Sequence, residues 1–162
     1  MLIRLVFLLV LALSHSTSFA NDDQNIEIVR TMTDLINQRN LDALGTVVAD
    51  DLVRHSDATP SIAVTNLDEF KAFLETDFAG IPDSVQEIDM IFATDDMVAV
   101  RARYSGTQTG PMGPFPPTGK RVELVFIGLL RIENRKIAEV WVEWDNLSIL
   151  TQLGHLPPPT PE

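Results

Sequence analysis

Up to about residue 80 apolar side chains recur at spacings of three and four, and beyond Pro82 they recur at spacings of two. The first pattern predicts helices and the second predicts strands. Ile26, Val29, Met32, Leu35 and Ile36 stand behind Asp22 and Asp23, which can cap, so 23–39 is read as an amphipathic helix. A shorter helix is expected after Asn40 as its cap, with Leu41, Leu44, Val47 and Val48 as its buried stripe, and Asp50 to Arg54 then runs extended to His55. Ser56 to Val64 is a connection. Asn66 with Glu69 has the form of a capping pair, and Leu67, Phe70, Phe73 and Leu74 give a third helix its apolar face up to Gly80. Four strands follow, at Val85–Phe92, Met97–Thr107, Arg121–Ile132 and Ile137–Trp144. Thr94-Asp95-Asp96 and Asn134-Arg135 supply hairpin turns. Helices first and an antiparallel meander second indicate an α+β domain whose sheet curls around its helices, with a pocket at the open end. Asn146 to Leu153 reads as a short C-terminal helix stopped by Gly154.

Alternation assigns faces within the strands. Arg101 and Arg103 oppose Val98, Val100, Ala102 and Tyr104, and Glu139, Trp141, Glu143 and Asp145 oppose Ala138, Val140, Val142 and Trp144. The strand 121–132 is apolar on both faces, with Leu124, Phe126, Leu130 and Ile132 on one and Val125, Ile127 and Leu129 on the other. Both faces then need covering: helices take one, and a second subunit or the terminal helix takes the other. Phe70, Phe73, Phe78, Phe92 and Phe126 are assigned to the core by their spacing.

Three segments stand outside the pattern. Arg4, the apolar run Leu5–Leu13 and Ser18-Phe19-Ala20 form a signal peptide over 1–20, so the mature chain is expected to start at Asn21 and to be exported to the periplasm or secreted. That run, about ten residues, is short of the roughly 20 that a membrane span needs, so no stable membrane insertion is expected after cleavage. Thr109 to Lys120 is rich in glycine and proline around Met112 and Phe115, and is either a lid or a plain connector between strands. The proline-rich tail 156–162 is expected to be flexible, leaving 21–155 as the domain.

Composition narrows the chemistry. With 12 Lys and Arg against 23 Asp and Glu, the net charge is −11, which repels nucleic acid and anionic lipid. The absence of cysteine removes disulfides, thiol catalysis and thiolate metal sites. His55 and His155 have no neighbouring ligand motif, so no metal is expected.

Thr107-Gln108-Thr109-Gly110, the loop ending Pro116-Pro117-Thr118-Gly119-Lys120, Arg131-Ile132-Glu133-Asn134, Ile137-Ala138-Glu139, and Trp141 with Asp145 followed by Leu147 to Gly154 occur in an order and spacing that resemble the SnoaL-like polyketide cyclase (ester cyclase) family of the nuclear transport factor 2-like superfamily. The resemblance implies a cone-shaped domain, homodimers, and an intramolecular aldol closure without metal or organic cofactor. It also implies that Asp145, the aspartate of the Trp-x-x-x-Asp motif, is the acid-base residue and points with Trp141 into the cavity. The chain departs from the family at Gln108, where relatives commonly carry His.

Asp145 therefore has two readings. It caps the helix that follows, which favours its charged form, or it lies walled by apolar groups, which raises its pKa toward the range a base near neutrality needs. The acidic face of the last strand is likewise either wet or cavity-lining. Arg101, Arg103 and Arg131 either form surface pairs with Glu123, Glu139 or Glu143, or one of them enters the cavity to hold an enolate or carboxylate. His55 is either an exposed loop residue or a polar group at the cavity. The candidate site comprises Asp145 as catalytic residue and His55, Arg101, Tyr104, Met112, Phe115, Phe126, Trp141 and Glu143 as substrate-binding residues. Two functions fit: a cyclase- or isomerase-type activity on a small hydrophobic carbonyl or ester compound, and a non-catalytic binding protein for such a molecule, which export favours. Epoxide hydrolysis is a third chemistry open to the superfamily, but it needs a paired acid and a water-orienting group that the sequence does not place.

Overall fold

The computed structural model describes residues 21–157, so the expected signal peptide and the end of the tail lie outside the described residues. Helix α1 covers 21–37, two residues short of the expected end. Arg39 stops it in the left-handed region at φ 60°. The Asn40 amide returns to Leu35 O and the Arg39 amide to Ile36 O, a Schellman-type closure that usually needs glycine. Arg39 is held there by its guanidinium, which donates to Ile36 O, Pro82 O and Ser84 O.

The second helix is reduced to a 3-10 turn, Leu41–Thr46, and Asn40 makes no side-chain cap to it. Val47 and Val48 do not extend the turn, because β-branched residues fit a strand better. Val48 opens β1 (Val48–His55), and Val47 O accepts the Ile137 amide. Helix α2 (Leu67–Gly80) begins with the expected cap, Asn66 Oδ1 accepting the Glu69 amide at 2.8 Å, while Glu69 reaches back to Thr65.

Four strands follow: β2 (Val85–Thr94), β3 (Met97–Thr107), β4 (Arg121–Glu133) and β5 (Lys136–Trp144). Asn134 and Arg135, both at positive φ, turn β4 into β5. The sheet order is β1-β5-β4-β3-β2, antiparallel from β2 to β5 with β1 added parallel to β5 at the edge. The fold is α+β, a curved, unclosed sheet with helices on its concave face.

Val29 and Ile36 of α1 and Phe70 and Leu74 of α2 pack with Val98, Val100, Leu130 and Val140 in the main core. Helix α3 (Asn146–Leu153) closes the far end, where Ile149 and Leu153 meet Val122 and Ile81. Because Val122 belongs to the concave face of β4, α3 does not cover the outer one. Val125, Ile127 and Leu129 remain 39 %, 51 % and 44 % exposed. Phe92 joins them at 61 %, contrary to its expected core position. The cause is a bulge between Ile88 and Met90, which reverses the alternation so that Ile91 faces inward and Phe92 outward.

Candidate active site

Between the helices and the sheet lies a cavity of about 200 Å³. Its wall is mainly apolar, built from inward residues such as Val29, Phe73, Val100, Phe126, Val142 and Trp144. Among the described residues, Thr33, Arg54, Asp77, Gln86 and Tyr104 are its polar lining. Thr33 donates its hydroxyl proton to Val29 O one turn earlier, so it has no proton left to offer a ligand.

Asp77 lies on the apolar stripe of α2, four residues after Phe73 and three after Leu74, and so faces the sheet. Tyr104 stands opposite on β3, and its hydroxyl donates to Asp77 Oδ1 at 2.8 Å. Ser84 Oγ approaches the other oxygen at 3.5 Å. Burial pushes the Asp77 carboxyl above its ordinary value, against the opposing pull of the Tyr104 hydrogen bond and the Arg39 charge. Burial also raises the Tyr104 hydroxyl, and the Asp77 charge adds to that rise. Tyr104 therefore stays a donor near neutrality, while Asp77 keeps its proton to higher pH than a solvated aspartate does and is the stronger base once ionised.

Several expected site residues lie elsewhere. Tyr104, Met112 and Phe126 line the cavity. On β5 the lining residues are Val140, Val142 and Trp144, so the acidic face is the wet one and Trp141 and Glu143 point away from the cavity. Trp141 stacks on His55 with ring centroids 5.1 Å apart, and His55 Nε2 lies 2.8 Å from Glu139 Oε1, which places His55 on the outer surface. Arg101 and Arg103 pair with Asp89 on that face, and Arg131 pairs with Glu133 and Glu139. Glu143 accepts the Asp57 and Ala58 amides at 2.6 and 2.9 Å, and so holds the connection after β1.

Asp145 is exposed and is the N-cap of α3, its Oδ1 accepting the Ser148 amide at 3.0 Å. It is not part of the cavity wall. The resemblance implies an inward side chain; strand alternation carries inward at Trp144 and outward at Asp145, and the helix amides then take the carboxylate.

The loop between β3 and β4 is anchored over the cavity. Thr109 and Gly110 amides both reach Gly80 O, and Met112 bridges to Phe115. Met112 enters the lining, whereas Phe115 packs on the His155 ring at 4.8 Å. Gln108, fully buried, accepts from Thr118 Oγ1 and donates to Pro116 O. At the position of the family's commoner histidine, this chain has an amide that pins the loop.

Sequence reasoning missed Arg54 and Asp77, though both left a trace. Arg54 shares a strand face with buried Leu52, and Asp77 continues the spacing of Phe70, Phe73 and Leu74. Among the described residues, no three His, Cys, Asp or Glu side chains gather as a metal site.

A search of the curated proteins returns no match. Solved structures do resemble the chain. AclR from Streptomyces galilaeus, a proposed hydroxylase, is 26% identical over 85% of each chain with a TM-score of 0.73. IdmH from Streptomyces antibioticus, a proposed polyketide cyclase, is also 26% identical, over 81% of this chain and 99% of its own, with a TM-score of 0.72. A proposed SnoaL-like polyketide cyclase from Jannaschia sp. CCS1 reaches a TM-score of 0.75 at 23% identity, over 85% of this chain and 95% of its own. The family model for SnoaL-like polyketide cyclase spans residues 26–153, which runs from within α1 to the end of α3 and takes in the loop over the cavity and the Trp-x-x-x-Asp segment. With this match over most of the chain, on the same curved sheet and helices, the chain belongs to the SnoaL-like polyketide cyclase family.

Proposed function

We propose that the cavity binds a small hydrophobic carbonyl or ester compound and carries out cofactor-free acid-base chemistry of the cyclase or isomerase type, with Asp77 rather than Asp145 moving the proton. The observation that carries this reading is the Tyr104–Asp77 hydrogen bond inside an apolar cavity. A desolvated carboxylate removes a proton α to a carbonyl, and the resulting enolate attacks an internal carbonyl or is reprotonated at another carbon. The proton on Asp77 then returns to the alkoxide or carbon, with Tyr104 holding Asp77 in place throughout. Nothing is consumed, so no cofactor is required.

A second reading, binding without reaction, is favoured by one fact: the aspartate of the family motif caps a helix. The two separate on the exchange of α-protons of 2-acetonaphthone in D₂O, followed by NMR. Acceleration by the protein that falls about 10²-fold or more in Asp77→Asn and persists in Asp145→Asn supports the catalytic reading. Loss in Asp145→Asn with Asp77→Asn intact returns the role to Asp145. Binding of the ketone without exchange selects the binding protein.

Export belongs to the same proposal, supported by the apolar run Leu5–Leu13 and the Ser18–Ala20 site. Homodimerisation through the outer sheet face is a further part. That face joins exposed apolar residues of β2 and β4 to rows of both charge signs, Arg101 and Arg103 beside Asp89 and Glu87, the self-complementary mixture a two-fold contact needs.

A further inference from the structure

A buried cation faces the cavity from the sheet edge. Arg54, on β1, is 6 % exposed and lines the cavity. Its guanidinium carbon sits 4.4 Å from the centroid of the Phe73 ring and 5.6 Å from that of Trp144, both wall residues. Nη1 donates to Thr59 Oγ1 at 3.0 Å, and Nη2 is buried with no hydrogen-bond partner among the described residues. Glu143 is the nearest compensating charge, yet its two oxygens are taken by the amides of Asp57 and Ala58. No carboxylate is hydrogen-bonded to Arg54 among the described residues.

A guanidinium keeps its charge in a protein, and a buried charge without an acceptor is unfavourable. Planar two-oxygen anions match its donor fork. Thr33 and Tyr104 direct their hydroxyls to Val29 O and Asp77, and neither accepts a hydrogen bond from Arg54 among the described residues. We propose that Arg54 is an anion subsite and that the ligand of the cavity is a hydrophobic carboxylic acid that also carries the reacting carbonyl. The carboxylate takes Nη2, and the apolar body extends along Phe73 and Phe126 toward Asp77. Phe73, on which Arg54 packs, precedes Asp77 by one turn of α2, a rise of about 6 Å. This inference rests on the cavity being the ligand site proposed above.

Two aromatic probes of nearly equal shape test it: 2-naphthoate and 2-acetonaphthone, titrated at pH 7 by calorimetry into the full protein. The chain's net charge of −11 exerts no general attraction on anions, so a preference for the acid reports the local cation. The expected result is binding of 2-naphthoate about tenfold tighter than the ketone, with Arg54→Met bringing the two within about twofold by weakening the acid alone. Arg54→Lys keeps part of the preference, since it retains the charge and loses the fork. Equal affinities in the unaltered protein, or an equal loss of both probes in Arg54→Met, overturn the anion subsite and leave the cavity reading intact. Binding of neither probe overturns both. The comparison in the unaltered protein decides the matter even if the variants do not fold.

Discussion

The Tyr104 hydroxyl donates a 2.8 Å hydrogen bond to Asp77 Oδ1, joining β3 to α2 across the cavity. The contact puts a buried carboxyl on the helix side of the fold, opposite the strand that carries the family motif. Its surroundings are apolar, so its strength depends on the exclusion of water by α1, α2 and the loop from β3 to β4.

Asp77→Asn should become more stable relative to the unaltered protein as pH rises from about 3 to 7. Burial raises the folded carboxyl above its ordinary value of 3.8, so the native state binds the extra proton between those two values. Stability due to Asp77 is then full below the unfolded pKa and is lost as pH rises through the folded one. Asparagine escapes this loss and still accepts from Tyr104. Urea midpoints across the range check it, and a relative gain by the unaltered protein with rising pH would contradict the assignment.

Asp145→Ala should cost about 0.5–2 kcal/mol in chemical denaturation, because the Ser148 amide loses its acceptor. Asp145→Asn should retain most of that stability, since asparagine caps comparably well. If both substitutions leave the denaturation midpoint unchanged, the cap is not what holds α3 in place.

Gly110→Ala should destabilise the loop over the cavity. A Cβ there would lie 1.9 Å from Ala79 O, a backbone atom that cannot move aside without shifting α2. The expected loss is about 1–3 kcal/mol, the usual cost of overpacking. Faster hydrogen exchange at Thr109 and Gly110, whose amides bond Gly80 O, should accompany it. Gly113→Ala, where a Cβ meets nothing within 4 Å but φ is +54°, should cost less.

Ile127→Arg should shift the protein toward monomer in sedimentation. Ile127 is 51 % exposed at the centre of the outer apolar face and has no contact with the cavity, so ligand binding should survive. An unaltered protein that sediments as a monomer at high concentration would remove the dimer proposal.

Sequence alone determined the class of fold and most of its outline. Period-two alternation in β3, β4 and β5 sorted the side chains into two faces, since a pleated strand has only two sides. Asn66 with Glu69 and Gly154 marked helix ends because orphan backbone groups demand such residues. Alternation put Glu139, Trp141 and Glu143 on one face of β5 and left open whether that face was wet; the residues that line the cavity belong to the other face, so Trp141 and Glu143 leave the expected site.

Tertiary structure decided what no local pattern encodes. The bulge after Ile88 turns Phe92 outward, and the parallel pairing of β1 with β5, a non-local contact, carries Val47 and Val48 out of the expected helix. The site was settled in the same way. Asp145 goes to the helix amides that follow it, while Asp77 finds Tyr104 27 residues away and Arg54 finds Phe73 and Trp144. A short spacing states which residues share a face; which faces meet, and which charge is buried without a partner among the described residues, depends on how the helices close over the sheet.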